Sequence, residues 1–153
     1  MVTSVNLQAM FEDAMYVFHN GFACSETVIY TLRKHFGWDD MSDDAIAMSS
    51  GFPWGLGGVG CLCGAVAGGT MCIGYCFGRK TPGDPCINRC FELTCEFGNA
   101  VVEKWGSCCC GKLIEEFPDR NGADRKAKCA ELVKFCIETA ARIIAREQGI
   151  IIE

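Results

Sequence analysis

Most of the chain repeats hydrophobic and polar residues with the period of an α-helix. Apolar side chains recur three or four positions apart, which gathers them on one face and leaves charged side chains on the other. Glycine, asparagine and proline separate these stretches. The pattern predicts helices over residues 6–20, 24–36, 42–50, 85–105 and 122–148, and a short helical or loop segment over residues 112–117. We therefore expect an all-α protein.

One stretch in the middle of the chain departs from this amphipathic pattern. Residues 45–78 contain no charged side chain and include a glycine-rich loop over residues 51–60 and a predicted helix over residues 61–77. That helix is about 25 Å long at ~1.5 Å per residue. Because the hydrocarbon core of a membrane is ~30 Å thick, a buried helix is favoured over the alternative of a membrane span. The predicted fold is a single-domain helical bundle, residues 1–153, around this buried central helix rich in glycine and cysteine.

Composition and charge narrow the classes of partner. The chain is 50% hydrophobic and 22% charged, which is typical of a globular domain. Its net charge is -5, and its basic residues form no long run, only short pairs such as Arg79-Lys80. A nucleic-acid partner would require a positive surface, so we expect none.

The cysteine content is the unusual feature, with 13 in the chain. In a short secreted protein this density would indicate a disulfide scaffold. The odd count, the long helices and an opening segment without a signal-peptide pattern favour reduced thiolates and a cytoplasmic location instead.

Two pairs of cysteines are spaced to face each other across a helical hairpin. Cys72 and Cys76 follow Gly64 and Gly68 at four-residue intervals, and Cys86 and Cys90 open the next helix. A short connection predicts antiparallel neighbours, which would bring Cys76 near Cys86 and Cys72 near Cys90. Four facing sulfurs would suit an iron–sulfur cluster or zinc, and the alternative is that each is a small core residue. Cys95 lies around the other side of the second helix.

The remaining cysteines occur at helix ends and in loops. Cys24 stands at a predicted helix start, where unpaired N–H groups favour a thiolate. Cys108, Cys109 and Cys110 are consecutive, so at least one should face a ligand or another cysteine. These three and the Cys61-x-Cys63 pair are candidate thiol-exchange sites.

The block Cys63-Gly64-Ala65-Val66-Ala67-Gly68 resembles the C_GCAxxG_C_C family of redox-active cysteine proteins. The similarity extends to Cys24 with its following residues, to the Gly-Ser-x-x-Cys block ending at Cys110, and to the segment around Cys129. The resemblance implies redox activity, and implies that Cys24, Cys63, Cys110 and Cys129 form one ligand set.

We therefore predict an iron–sulfur redox protein that transfers electrons or reduces a small substrate. A [4Fe–4S] cluster is favoured, with a larger cluster or more than one left open. The candidate ligands are Cys24, Cys63, Cys110 and Cys129 from the family pattern, Cys72, Cys76, Cys86 and Cys90 from the hairpin, and Cys61, Cys95, Cys108 and Cys109 in addition. The alternative is a thiol–disulfide protein, or one that binds or sequesters zinc or another metal, without a cluster. Expected partners are a redox protein or a small substrate, and the glycine face of the central helix suggests a homodimer.

Overall fold

The structure is a computed structural model that describes residues 2–153. It is a helical bundle, which confirms the predicted fold class. The helical segments are α1 Leu7–His19, α2 Cys24–Phe36, α3 Asp43–Ser49, α4 Pro53–Gly58, α5 Gly64–Phe77, α6 Ile87–Trp105, α7 Cys110–Leu113 and α8 Ala123–Gln148. Two short strands, β1 Ser4–Val5 and β2 Ile151–Ile152, pair in parallel and join the two ends of the described chain. Among residues 2–153, no helix has the length and apolar character that a membrane crossing requires.

Helix α5 lies at the centre, as predicted, and packs against α2, α6 and α8. It approaches α2 closely because Gly64 and Gly68 have no side chain. A methyl group at Gly64 would overlap Cys24 Sγ, and one at Gly68 would lie 2.8 Å from the Ser25 carbonyl oxygen. The glycine face that suggested a homodimer is therefore buried inside the chain, so it is not available to a second copy.

The predicted start of the central helix at Cys61 is wrong. Residues 61–63 are extended, Cys63 is the N-cap, and α5 begins at Gly64. Pairing with the segment before α7 prevents an earlier start. Cys63 N–H donates to the Cys108 carbonyl at 2.7 Å, and Cys110 N–H donates to the Cys61 carbonyl at 2.6 Å. The resulting short ribbon, residues 61–63 against residues 108–110, ties the start of α5 to the start of α7.

The glycine-rich loop contains an unusual turn. Residues 54–57, within α4, have φ values between 62° and 68°. Because all four values are positive, this turn is left-handed. Two of them, Trp54 and Leu56, are not glycine. Because left-handed backbone costs roughly 1–2 kcal/mol for a residue with a side chain, surrounding contacts must hold this turn in place.

Candidate functional site

Four cysteines from four parts of the chain line one cavity. Its volume is about 190 Å³, and its wall includes the side chains of Cys24, Cys63, Cys110 and Cys129. We call these the cavity quartet. The first three lie at the beginnings of α2, α5 and α7, and the fourth lies in the second turn of α8. The packing of four helical segments is thus what assembles the quartet.

Backbone N–H groups at two of these helix starts favour a thiolate. The Ser25 N–H lowers the pKa of Cys24, and the Ala65 and Val66 N–H groups lower that of Cys63, although the Cys63 side chain accepts no capping hydrogen bond. The first N–H groups of a helix have no carbonyl partner within the helix, so a sulfur at the first position or the cap can accept from them. Such hydrogen bonds stabilise a thiolate and are among the factors that set the potential of a sulfur-ligated metal group.

Burial raises the pKa of three quartet thiols, Cys24, Cys63 and Cys110. The pKa of Cys24 is raised to about 12, chiefly by burial and also by the neighbouring Cys63 and Cys129. That of Cys63 is raised to about 11 by burial, against the opposing effect of the Val66 and Ala65 N–H groups. The pKa of Cys110 is raised by burial and by Cys129, while Arg120 and Arg125 act in the opposite direction. A thiol in this cavity ionises readily only when a cation or a metal group replaces its proton.

Aromatic and basic side chains complete the cavity wall. Phe18 and Phe22 form part of the apolar wall, and Trp54 lines it from the left-handed turn. The Arg125 guanidinium lies 4.4 Å from the centre of the Trp54 ring and that of Arg120 lies 5.2 Å from it. These two cation–π contacts help to hold the strained turn against α8.

Comparison with known proteins assigns the family. A family model described as "Putative redox-active protein (C_GCAxxG_C_C)" matches residues 22–143. The chain belongs to this family. No curated protein and no solved structure matches it. The C_GCAxxG_C_C description states redox activity and names no cofactor. The four cysteines that the family pattern picked out in this sequence are those of the cavity quartet.

The hairpin cysteines are arranged differently from the cavity quartet. Helices α5 and α6 are neighbours, as predicted, but two contacts fix another register. A methyl group at Gly69 would overlap the Phe97 ring, and the Cys86 thiol lies 3.8 Å from the Gly78 carbonyl oxygen. This register sets Cys76, not Cys72, opposite Cys90.

Cys72 also points away from α6. It is fully buried beside Ile29, Met41 and Met71, in a cavity between α5 and the α2–α3 region. The predicted pairing of Cys72 with Cys90 and of Cys76 with Cys86 is therefore wrong, because the face of α5 that carries Gly64, Gly68 and Cys72 packs on α2.

The other predicted site residues divide by exposure. Cys61, Cys86, Cys95 and Cys109 are exposed, and Cys108 is half-buried with its thiol 3.8 Å from the Gly98 carbonyl oxygen. None of these five contributes to the wall of the quartet cavity. All 13 cysteines are free thiols.

The sequence analysis left out several residues at or near the site. Cys136, seven residues after Cys129 on α8, is fully buried, and burial together with the neighbouring Cys63, Cys108 and Cys24 raises its pKa. That seven-residue spacing is the signal that the sequence offers for it. Trp54, Arg125 and Lys126 carried no such signal, because the left-handed turn that brings Trp54 to the cavity depends on contacts with distant residues.

The possible ligand atoms of the quartet are sulfur alone. The quartet offers four thiols and no nitrogen or oxygen ligand. Within residues 2–153, no three His, Cys, Asp or Glu side chains converge closely enough to hold one metal ion. This holds for the hairpin cysteines as well as for the cavity quartet.

Proposed function

We propose that the protein performs redox chemistry at the cavity quartet, with Cys24, Cys63, Cys110 and Cys129 as ligands of one iron–sulfur cluster. The observation that carries the proposal is that four thiols from separate helical segments line one cavity of about 190 Å³. Iron–sulfur clusters are held by four cysteine thiolates in this manner. The N–H groups next to the Cys24 and Cys63 sulfurs would tune the potential of such a group.

The separation of the thiols favours a cluster over zinc. A single zinc ion needs four sulfurs at about 2.3 Å from one point, and no set of three candidate side chains in residues 2–153 converges in that way. A cluster of several iron and sulfide atoms fills more space and holds its ligands further apart. It therefore suits four thiols arranged around a cavity.

Protonation also favours a bound group over free-thiol chemistry. A thiol with a pKa of about 12 is ionised in only about one molecule in 10⁵ at pH 7. Since the thiolate is the nucleophile in disulfide exchange, Cys24 and Cys63 would react slowly as free thiols. Binding a metal group displaces these protons and removes the obstacle.

A second candidate function, thiol–disulfide exchange, is favoured by the short ribbon. The ribbon pairs the exposed Cys61 with the buried Cys110, and Cys63 with the half-buried Cys108. Surface and cavity thiols thus alternate along two adjacent segments. An external disulfide could react with the Cys61 thiolate and release one thiol. Attack by the Cys110 thiolate on that mixed disulfide would form a Cys61–Cys110 disulfide and release the second thiol, which carries oxidising equivalents inward without a metal.

One preparation separates these candidates. The protein is purified without oxygen, its iron, acid-labile sulfide and zinc are measured per chain, and a visible spectrum is recorded. Iron and sulfide in comparable amounts, with broad visible absorption, are the expected result. Absence of both would overturn the cluster, and reversible loss of two titratable thiols on mild oxidation of the same sample would then support exchange.

A further inference from the structure

Three basic side chains at the quartet cavity have no acidic partner. The chain contains 14 Lys and Arg residues, and eight of them form ion pairs with carboxylates. Within residues 2–153, six form none, and three of these six are Arg120, Arg125 and Lys126, close together in sequence. In a protein with 19 Asp and Glu residues and a net charge of -5, these unpaired cations are concentrated at one place.

These three basic side chains lie close to the quartet thiols. Arg125 and Lys126 contribute to the cavity wall beside the quartet. Arg120 lies on the outer side of Trp54, in a surface cleft that it forms with Gly58 and Asn121. Both arginines are near enough to Cys110 to act electrostatically on its thiol. The positive charge therefore surrounds the entrance to the cavity on both sides of Trp54.

Arg125 is fixed in place while its outer nitrogens remain free. Its Nε donates to the Arg120 carbonyl oxygen at 2.6 Å, and its flat face stacks on Trp54. Across the part of the chain that the structure describes, its two terminal nitrogens have no hydrogen-bond partner. A guanidinium held in this way presents two parallel N–H donors, the arrangement that binds a carboxylate or another oxyanion in bidentate fashion.

The fold maintains this charge at some cost. Arg125 and Lys126 lie in the first turn or so of α8, which begins at Ala123. Cations there are opposed by the positive end of the helix dipole. Dipole and side chains together create a positive potential next to a low-dielectric cavity, which concentrates anions from solution.

We propose that Arg120, Arg125 and Lys126 form a binding subsite for a small anion, a carboxylate or an oxyanion, at the mouth of the quartet cavity. The claim that this anion is the substrate rests on the proposed redox function. The claim that the three side chains bind an anion does not. The volume of about 190 Å³ is below the ~300 Å³ of typical drug-sized ligand sites, so the anion must be small.

The first test compares two alkylating reagents of similar size and different charge, iodoacetate and iodoacetamide. The reduced, metal-free full chain is treated at low ionic strength, and alkylation at each cysteine is followed by mass spectrometry. In both reactions the thiolate sulfur forms a bond to carbon, iodide leaves, and the thiol proton passes to the buffer. The exposed Cys95 is the internal reference.

The ratio of iodoacetate rate to iodoacetamide rate at Cys129 and Cys110 is expected to exceed that at Cys95 about tenfold, the lower end of electrostatic focusing. The double variant Arg120→Gln/Arg125→Gln should bring the ratio down to the Cys95 value, and high salt should do the same. Lys80→Gln is the matched control, because Lys80 is an exposed, unpaired cation beyond the far end of α5. Equal ratios at all cysteines, or a ratio that survives the double variant, would overturn the subsite.

A second measurement uses the protein as isolated, whatever the cavity holds. In a Trp38→Phe/Trp105→Phe background, Trp54 is the sole tryptophan. The ratio of iodide quenching to acrylamide quenching should be several-fold higher than in the same chain with Arg125→Gln, because neutral acrylamide corrects for the exposure that Trp54 gains when its stacked guanidinium is removed. Inorganic phosphate should protect Trp54 from iodide saturably, and protection that is absent or rises without saturation counts against a site.

These results are separable from the proposed function. A protein that contains iron and sulfide but shows no anion selectivity would disprove the anion subsite and not the cluster. A protein that shows anion selectivity but contains no iron and sulfide would disprove the cluster and not the subsite.

Discussion

The cavity quartet and the hairpin cysteines contain the same number of thiols in the same chain, yet the fold treats them differently. Three cavity cysteines stand at or next to the first residue of a helix, where the backbone changes direction and its N–H groups are unpaired. Cys72 and Cys76 lie within α5, and their side chains point wherever that helix face packs. Cysteines at the starts of several helices can direct their sulfurs into one cavity. The direction of a cysteine side chain in the middle of a helix is determined by how that helix packs on its neighbours.

The comparison teaches that cysteine spacing alone is weak evidence for a ligand set. The hairpin spacing is regular, but Gly64 and Gly68 turn its face toward α2, and Gly69 receives the Phe97 ring instead. The cavity quartet has no regular spacing, and four separate elements bring it together.

The contrast is tested most directly by removing one cysteine from each set. Cys63 and Cys90 are both 7% exposed, so they are matched for burial. We expect Cys63→Ser to lower the bound iron per chain by on the order of tenfold or more, since even outer-shell changes cost 10–100-fold in metal affinity. Cys90→Ser should retain it. Iron analysis after anaerobic purification decides, and equal losses would show that the hairpin also supplies ligands.

The buried thiols should make the metal-free protein sensitive to alkaline pH. The pKa of Cys24 is about 12 in the folded protein, against an ordinary value of 9.0. The folded state therefore holds this proton more tightly, and its contribution is fully present below pH 9 and is lost as pH rises toward 12. We expect a loss of about 2 kcal/mol between pH 8 and pH 10.5 from this group.

Urea unfolding at the two pH values measures that loss. Cys24→Ala removes the group, so this variant should lose less stability over the same interval. A variant with the same pH dependence as the parent chain would show that Cys24 is not the group responsible.

Close packing of α5 on α2 can be tested at two glycines of one helix. A methyl group at Gly68 would lie 2.8 Å from the Ser25 carbonyl oxygen, whereas one at Gly74 would meet no atom within 4 Å. We expect Gly68→Ala to cost about 1–3 kcal/mol through overpacking. Gly74→Ala should gain about 0.5–1 kcal/mol from helix propensity. Urea unfolding of both variants checks the difference, and a stabilised Gly68→Ala would contradict the packing.

The smallest effect is expected on the hairpin side. Arg146 donates to both oxygens of Glu96 at 2.8 and 2.9 Å, which links α8 to α6, but both side chains are about half exposed, at 50% and 47%. We expect Glu96→Gln to cost no more than about 1 kcal/mol in urea unfolding, and less in high salt. The iron content of this variant should match that of the parent chain. A lower iron content would show that the hairpin side of the molecule contributes to the cluster site.

The sequence was most informative where a local rule decides the outcome. Hydrophobic periodicity predicted the long amphipathic helices, and the start of α2 at Cys24 was predicted correctly. The extended residues 61–63 were missed because their partner, residues 108–110, lies far away in sequence. The register between α5 and α6 was missed for a similar reason. It depends on which face of α5 packs on α2, and the glycines of α5 determine that face. The left-handed turn at Trp54 depends on Arg120 and Arg125, which no local pattern could indicate.

The dispersion of the quartet along the chain has a consequence for biosynthesis. Cys24 is made well before Cys129, which lies in α8. The cavity therefore cannot close until α8 has been made. Until then, Cys24 and Cys63 lack the apolar surroundings that raise their pKa, and they are exposed to oxidants. A group that requires all four thiols can enter only after that point, so the incomplete chain is the stage at which these cysteines are most vulnerable.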